Sequence, residues 1–403
     1  MILPYRLKSY SLKLLFAVLF LNLIGLLVIR SATNQDPSYV GRELMGSALG
    51  IAFMLVLSLV PYQKILKYAV GIFTACCGLL VMVNFYGRFV GGARRWIVLP
   101  GIGQLQPSEF AKIGILVFFS WLLERNEERI NQFRFLLVYL GFAAIPVFLI
   151  VSEPDLSSTI VVVVCIAAML YVAGISYRWI GLALAVALPL TAVFLLLLQH
   201  GMIPFLKAYQ ARRILAFLNR SQFADDNLQQ DNSIMAIGSG QLFGKGLNNN
   251  TLASVKNGNF LSEEQTDFIF AVIGEELGFV GCLAVLVLFS LVVFECFSIA
   301  GRARELGGKV LCAGMGVLVA FQGFCNIAVA TGLLPNTGLT LPFISYGISS
   351  LLSFYIGTGL VLNVGLQQIP DAASRETGFG GRSPSALAGA GRFRVGKNEE
   401  EYI

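Results

Sequence analysis

Ten apolar stretches recur along this chain, at 14–29, 44–60, 66–86, 107–123, 135–151, 158–174, 179–199, 268–299, 308–331 and 344–364. They constrain the fold more than any other feature. A hydrocarbon layer about 30 Å thick is crossed by roughly 20 helical residues, and each stretch approaches or exceeds that length. Hydrophobic residues make up 56% of the 403 positions and charged residues 13%. The mean hydropathy is +0.74. A soluble domain cannot hide that much apolar surface, so the solvent is a bilayer. The expected fold is an all-α polytopic membrane protein of about ten transmembrane helices. A large extracytoplasmic loop, 200–267, joins the seventh and eighth. The first stretch has no small-residue cleavage site after it and reads as a retained span.

Lys and Arg in short loops set the expected orientation. With the N-terminus inside, inner segments carry Arg6, Lys8, Lys13, Lys64, Lys67, Arg125, Arg129, Arg134, Arg178, Arg302, Arg304 and Lys309. Short outer loops carry only Arg30, Arg42, Arg88, Arg94 and Arg95. Both termini are then cytoplasmic. Residues 1–370 form the membrane domain. Residues 371–403, rich in Gly, Ser and Ala, are expected to be a disordered inner tail. The eighth stretch would reach ~48 Å as one straight helix. Its first third, 268–278, is therefore expected at the outer boundary or along a cavity.

All seven cysteines fall in apolar runs and read as small core residues. The single histidine, His200, ends an apolar run and reads as interfacial; one histidine cannot build a histidine metal cluster.

Charge in the outer segments needs explaining. In "GGARRWIVLPGIGQLQPSEFAK" (91–112), Arg94 and Arg95 run against the loop bias. They can fork onto phosphate oxygens or snorkel to headgroups. Pro107 suits a first helical position, which puts Glu109 in the first turn and Lys112 on the same face. That pair reads either as structural glue or as a site device. In "SEPDLSST" (152–159), Glu153 and Asp155 flank Pro154, and turn chemistry alone accounts for Pro and Asp there. In the long loop, "QARRILAFLNR" (210–220) reads as a basic amphipathic surface helix. "NSIMAIGSGQLFGKGL" (232–247) has glycines that permit sharp turns and close approach of backbone N–H groups to an anion, with Lys245 nearby. It lacks the Walker spacing.

"LSEEQTDFIFAVIGEELGFVG" (261–281) places Asp267 where polar loop meets apolar helix. Such a carboxylate is either a helix cap or a partly desolvated general base. Positions 267, 271, 274 and 278 share a small face on which a helix or a ligand can pack. Glu275 and Glu276 lie roughly 12 Å deeper and need buried partners, Lys112 being one candidate.

In order, "GARRWI", "QPSEFAK", "PDL", "SIMAIGSGQLFGKGL", "TDFIFAVIGEELGFVG" and "NTGLTLPFISYG" (336–347) resemble the SEDS family, which includes RodA, FtsW and SpoVE. The likeness spans about residues 5–370, and "AIGSG" and "GKG" look closer to RodA than to FtsW. The resemblance implies a peptidoglycan glycosyltransferase that polymerises lipid II at the outer face of the bacterial cytoplasmic membrane. It further implies a class B penicillin-binding protein as partner and no nucleic acid. It casts Asp267 as the catalytic aspartate, with Glu109 and Lys112 as further catalytic residues. Arg94, Arg95, Arg212, Arg213 and Lys245 become candidates for the departing diphosphate, with a divalent cation (Mg or Mn) as a possible cofactor. Trp96, Asp155, Ser239 and Ser345 stand within or beside the motifs and complete the substrate-binding set. Two other readings are a lipid-linked precursor flippase and a non-catalytic scaffold of a wall-synthesis complex.

Overall fold

A computed structural model describes residues 10–90, 93–99, 103–199, 208–219, 222–248 and 264–367. All of these belong to one compact unit that ends at Gln368. The tail 371–403 and His200 lie outside the described residues, as do parts of the loop 200–267.

Ten helices take the positions of the ten apolar stretches: α1 (Leu12–Ala32), α2 (Pro37–Leu59), α4 (Ala69–Tyr86), α5 (Pro107–Arg125), α6 (Phe133–Ser152), α7 (Leu156–Val172), α8 (Tyr177–Gln199), α11 (Ile269–Gly301), α12 (Leu306–Ala330) and α13 (Ile348–Leu366). A short α3 (Tyr62–Lys67) precedes α4, and α9 (Ala208–Leu218) and α10 (Ala224–Ser239) fold from the long loop. Among the described residues, eight helices are long and apolar enough to cross a membrane. The other two of the ten are α7, which is shorter, and α5, whose first turn carries charge. Helix α9 matches the expected surface helix, whereas α10 was not anticipated. Neither was a small antiparallel sheet, β1 (Arg88–Val90), β2 (Ala93–Leu99) and β3 (Gly103–Leu105), in the order β1-β2-β3 between α4 and α5. Register pairs such as Phe89 with Arg94 and Val98 with Gln104 hold it together.

The centre of the bundle is α5, α12 and α13, which pack on one another. Small residues make this possible, because glycines at helix seams let backbones approach. A Cβ at Gly359 of α13 would lie 2.7 Å from the carbonyl of Met54 on α2. Around the centre, α1, α2, α6, α8 and α11 turn large apolar side chains outward, among them Phe16, Phe53, Phe148, Leu188 and Phe294. Exposed apolar surface on this scale is disposed for lipid.

Helix α11 does not run straight. Gly278 has φ 66° and ψ −162°, which breaks the helix there. The part after the break, Phe279–Gly301, is ~34 Å long at ~1.5 Å per residue and crosses a bilayer core unaided. The first third is therefore a separate short helix, and residues 269–276 are all buried.

Candidate functional site

Helix α11 begins after Phe268, whose own side chain makes no cap hydrogen bond, and Asp267 stands one residue before it. Asp267 is half-buried at the edge of a fully buried helix start. Three contacts hold the backbone around it. Asn326 of α12 donates to the carbonyls of Asp267 at 2.9 Å and Leu339 at 2.7 Å. Ser345 Oγ donates to the Thr266 carbonyl at 2.6 Å and accepts from Leu341 N–H at 2.7 Å. Tyr346 N–H donates to the Gln265 carbonyl at 2.9 Å. The loop 336–347 therefore wraps the aspartate. Gly338, at φ +70°, passes close to its carboxyl: a Cβ there would lie 3.3 Å from Asp267 Oδ2.

Behind this loop runs a buried polar chain. Lys112 Nζ donates to Glu109 Oε1 at 2.8 Å and to Gln322 Oε1 of α12 at 2.7 Å. Gln322 Nε2 donates to the carbonyl and the hydroxyl of Thr340, both at 3.1 Å, and Thr340 Oγ1 shares a 2.8 Å hydrogen bond with Ser350 Oγ of α13. Ions this deeply buried are tolerable only when paired and hydrogen-bonded. Lys112 meets both conditions; Glu109 Oε2 has no partner among the described residues. Lys112 pairs with Glu109, so it is not the partner expected for Glu275 or Glu276.

A second wall comes from β2 and the α6–α7 turn. Arg95 Nε donates to the Glu153 carbonyl at 3.0 Å, and its Nη2 to the Pro154 carbonyl. Arg95 is therefore engaged in holding a turn. Asp155 caps α7: it accepts from Ser158 N–H at 3.1 Å and Ser158 Oγ at 2.8 Å, and from Gln106 Nε2 at 3.4 Å. Ser157 Oγ reaches the Thr337 carbonyl at 2.6 Å, tying this turn to the loop around Asp267. Glu153 is fully buried, and neither of its carboxyl oxygens has a partner among the described residues. Burial pushes its pKa up to about 8, Asp155 adding to the rise and Arg95 opposing it. Arg94 is exposed and donates to the Phe85 carbonyl at 3.3 Å; Trp96 is half-buried on β2.

Part of the glycine-rich segment packs against the break in α11. Where α11 breaks, its unpaired backbone groups are met by residues 241–246. Phe279 N–H and Val280 N–H donate to the carbonyls of Gln241 and Leu242, at 2.9 and 3.1 Å. Lys245 N–H and Gly246 N–H donate to the carbonyls of Glu275 and Glu276, at 2.9 and 3.0 Å. These two N–H groups meet a helix, not an anion. The Lys245 ammonium lies 2.8 Å from Glu275 Oε1, which gives that glutamate its partner. Ser31 Oγ donates to Glu276 Oε1 at 2.5 Å. The small face of α11 receives α10: a Cβ at Gly274 would lie 3.1 Å from Ile237 Cα.

Arg212 and Arg213 are exposed on α9, and Arg213 Nη1 lies 3.5 Å from the Asn336 carbonyl, beside the Asp267 loop. Ser239 is exposed, its hydroxyl bonded to the Ala236 carbonyl at 2.7 Å. Asp267, Ser345, Glu109, Lys112 and Asp155 thus share one connected end of the bundle. Gln322 and Asn326 were missed. Their signal was present, since two amides four residues apart in an apolar helix share a face.

Apolar helices with a charged lattice sealed at one end, and a half-buried carboxyl under a wrapped loop, define a multi-pass membrane protein with a polar site at the end of its bundle. Residues 11–369 match the model of the FTSW_RODA_SPOVE family, described as "Cell cycle protein", and the chain belongs to this family. It is 35% identical to "Probable peptidoglycan glycosyltransferase FtsW" of Trichlorobacter lovleyi, over 91% of this chain and 96% of the relative. It is 32% identical to "Peptidoglycan glycosyltransferase MrdB" of Escherichia coli K12, over 87% and 92%. Among solved structures, it resembles a chain of the work "Structural coordination of polymerization and crosslinking by a peptidoglycan synthase complex" at TM-score 0.73 and 30% identity, covering 88% of this chain and 97% of that one. It also resembles Thermus thermophilus rod shape determining protein RodA, at TM-score 0.65 and 27% identity, covering 90% and 98%. Relatives of both names match at similar identity, so the expected preference for RodA over FtsW is not resolved.

Proposed function

We propose that this protein is a peptidoglycan glycosyltransferase that polymerises lipid II, with Asp267 as general base. The observation that carries the reading is the setting of Asp267: a half-buried carboxyl at the mouth of a buried helix, with its loop clamped by Asn326 and Ser345. Partial desolvation and fixed geometry suit a group that takes a proton in the transition state. In the proposed step the 4-hydroxyl oxygen of the acceptor sugar attacks the anomeric carbon of the donor, with inversion. Asp267 takes the hydroxyl proton, and the bond to the lipid diphosphate breaks. Negative charge grows on that diphosphate and needs preorganised cations. Arg94, Arg212 and Arg213 are exposed and are the first choices for this. Lys112, Arg95 and Lys245 serve the same site from behind, by fixing α5, the α6–α7 turn and the α11 break.

Among the described residues no group of three or more His, Cys, Asp and Glu side chains could hold a metal ion. We read any Mg or Mn that takes part as arriving with the substrate's diphosphate. The Asp267 end faces outward, both termini face the cytoplasm, and a class B penicillin-binding protein is the partner. The synthase complex among the structural neighbours supports that last assignment.

The test is purified Asp267→Asn protein supplied with lipid II. Polymer formation should fall by about 100-fold or more. Undiminished polymer would remove the base assignment. Lipid II crossing vesicles without any polymer, for the unaltered protein, would favour the flippase.

A further inference from the structure

Glu43 on α2 is buried, although it lies in a membrane-crossing helix and in none of the motifs above. Its carboxyl Oε2 accepts from the backbone N–H of Gly347 at 3.3 Å. Gly347 immediately precedes α13, so the carboxylate sits at the positive end of that helix dipole. This explains how an acid is tolerated there.

The seam that brings it into reach is tight. A Cβ at Gly46 would lie 3.3 Å from Ile348 Cγ1, and one at Gly50 would lie 2.3 Å from Tyr355 Cδ2. A neighbouring residue of α2 grips the same point: Tyr39 packs edge-on against Tyr346 with ring centroids 5.1 Å apart. The two residues before Gly347 are the ones that hold the segment before Asp267. Tyr346 N–H donates to the Gln265 carbonyl and Ser345 Oγ to the Thr266 carbonyl. A continuous path therefore runs from Glu43 through Gly347, Tyr346 and Ser345 to the residue before Asp267.

We propose that Glu43 is a positioning residue: its hydrogen bond to Gly347 fixes the 343–347 turn and, through it, the backbone that presents Asp267. The proposal rests on the reading of Asp267 as the base, and its test separates the two. Wild-type, Glu43→Gln and Glu43→Ala full-length proteins are placed in nanodiscs and supplied with lipid II. The amide of Gln keeps an acceptor for Gly347; Ala does not. In Glu43→Ala, kcat should fall about tenfold or more with KM unchanged, as expected when a reacting group is displaced without loss of substrate contacts. Amide hydrogen exchange should rise in 264–268 and 343–347 but not in the centre of α12. Glu43→Gln should restore both readouts to near wild type.

Wild-type exchange in Glu43→Ala would overturn the proposal, because the clamp would then not depend on this residue. So would a Glu43→Gln protein as damaged as Glu43→Ala. Activity of Asp267→Asn in the same nanodiscs would instead sink the base assignment, while the exchange data still judged the clamp.

Discussion

Lys112 has two acceptors, Glu109 and Gln322, and no water-exposed surface to fall back on. Removing one member of a buried ion pair leaves the other uncompensated, at a cost of about 3–5 kcal/mol. Lys112→Met should therefore lower the melting temperature in detergent sharply. Glu109→Gln combined with Lys112→Met should recover much of that loss, because no lone charge remains. If the single and double variants melt alike, the pair is not what the geometry indicates. Glu153 tells a related story with a proton. Its pKa is raised from 4.5 to about 8 in the folded protein. The folded state binds the proton more tightly than the unfolded chain, so the stabilisation is fully present below pH 4.5. It is lost as pH rises through about 8, at a slope of at most about 1.4 kcal/mol per pH unit. Thermal unfolding from pH 5 to 9 should show this decline in wild type and a flatter profile in Glu153→Gln. Equal slopes would mean that another group carries the dependence.

At the level of elements, the break in α11 explains the glycine-rich segment. A broken helix leaves N–H and C=O groups unpaired, and buried groups must find partners. Residues 241–246 supply them, which requires near-contact between two backbones. A Cβ at Gly240 would lie 1.9 Å from the Gly274 carbonyl oxygen. At Gly244, which sits at φ +78°, it would lie 2.2 Å from that of Glu276. Gly240→Ala must push the segment off the helix and should destabilise by about 1–3 kcal/mol or more. An exposed glycine such as Gly238, with nothing near its Cβ position, should accept Ala nearly silently. Comparing the two melting curves checks the claim. The break itself was legible, because an apolar run of that length overshoots a bilayer. The partner was not: glycines that admit an anion look the same in sequence as glycines that admit a carbonyl. The sheet at 88–105 was hidden for a related reason, since short strands joined by glycines leave little periodicity to read. By contrast, the Glu109–Lys112 pair was legible from spacing alone, because both partners stand on one helix.

For the whole molecule, the proposed membrane placement rests on one length and one charge pattern. Phe279–Gly301 spans the core alone, so the Lys245–Glu275 and Ser31–Glu276 contacts fall at the boundary where Asp267 lies, not at mid-depth. Both carboxylates are buried, so the Lys245 ammonium and the Ser31 hydroxyl are what make them tolerable there. Arg302 and Arg304 follow the other end of α11 at once, and short loops rich in arginine stay in the cytoplasm. Under the proposed orientation the Arg302 end of α11 is cytoplasmic and the opposite end is not, and everything tied to Asp267 goes with that opposite end. Single cysteines at Phe243 and Arg304, in a chain whose seven native cysteines are replaced, report this directly. Both positions are exposed and flank α11. In intact cells a membrane-impermeant maleimide should label position 243 and not 304, and permeabilisation should expose 304. The reverse pattern would put Asp267 on the cytoplasmic side, where no polymer destined for the cell exterior could be built, and the assignment of the reaction would fall with it.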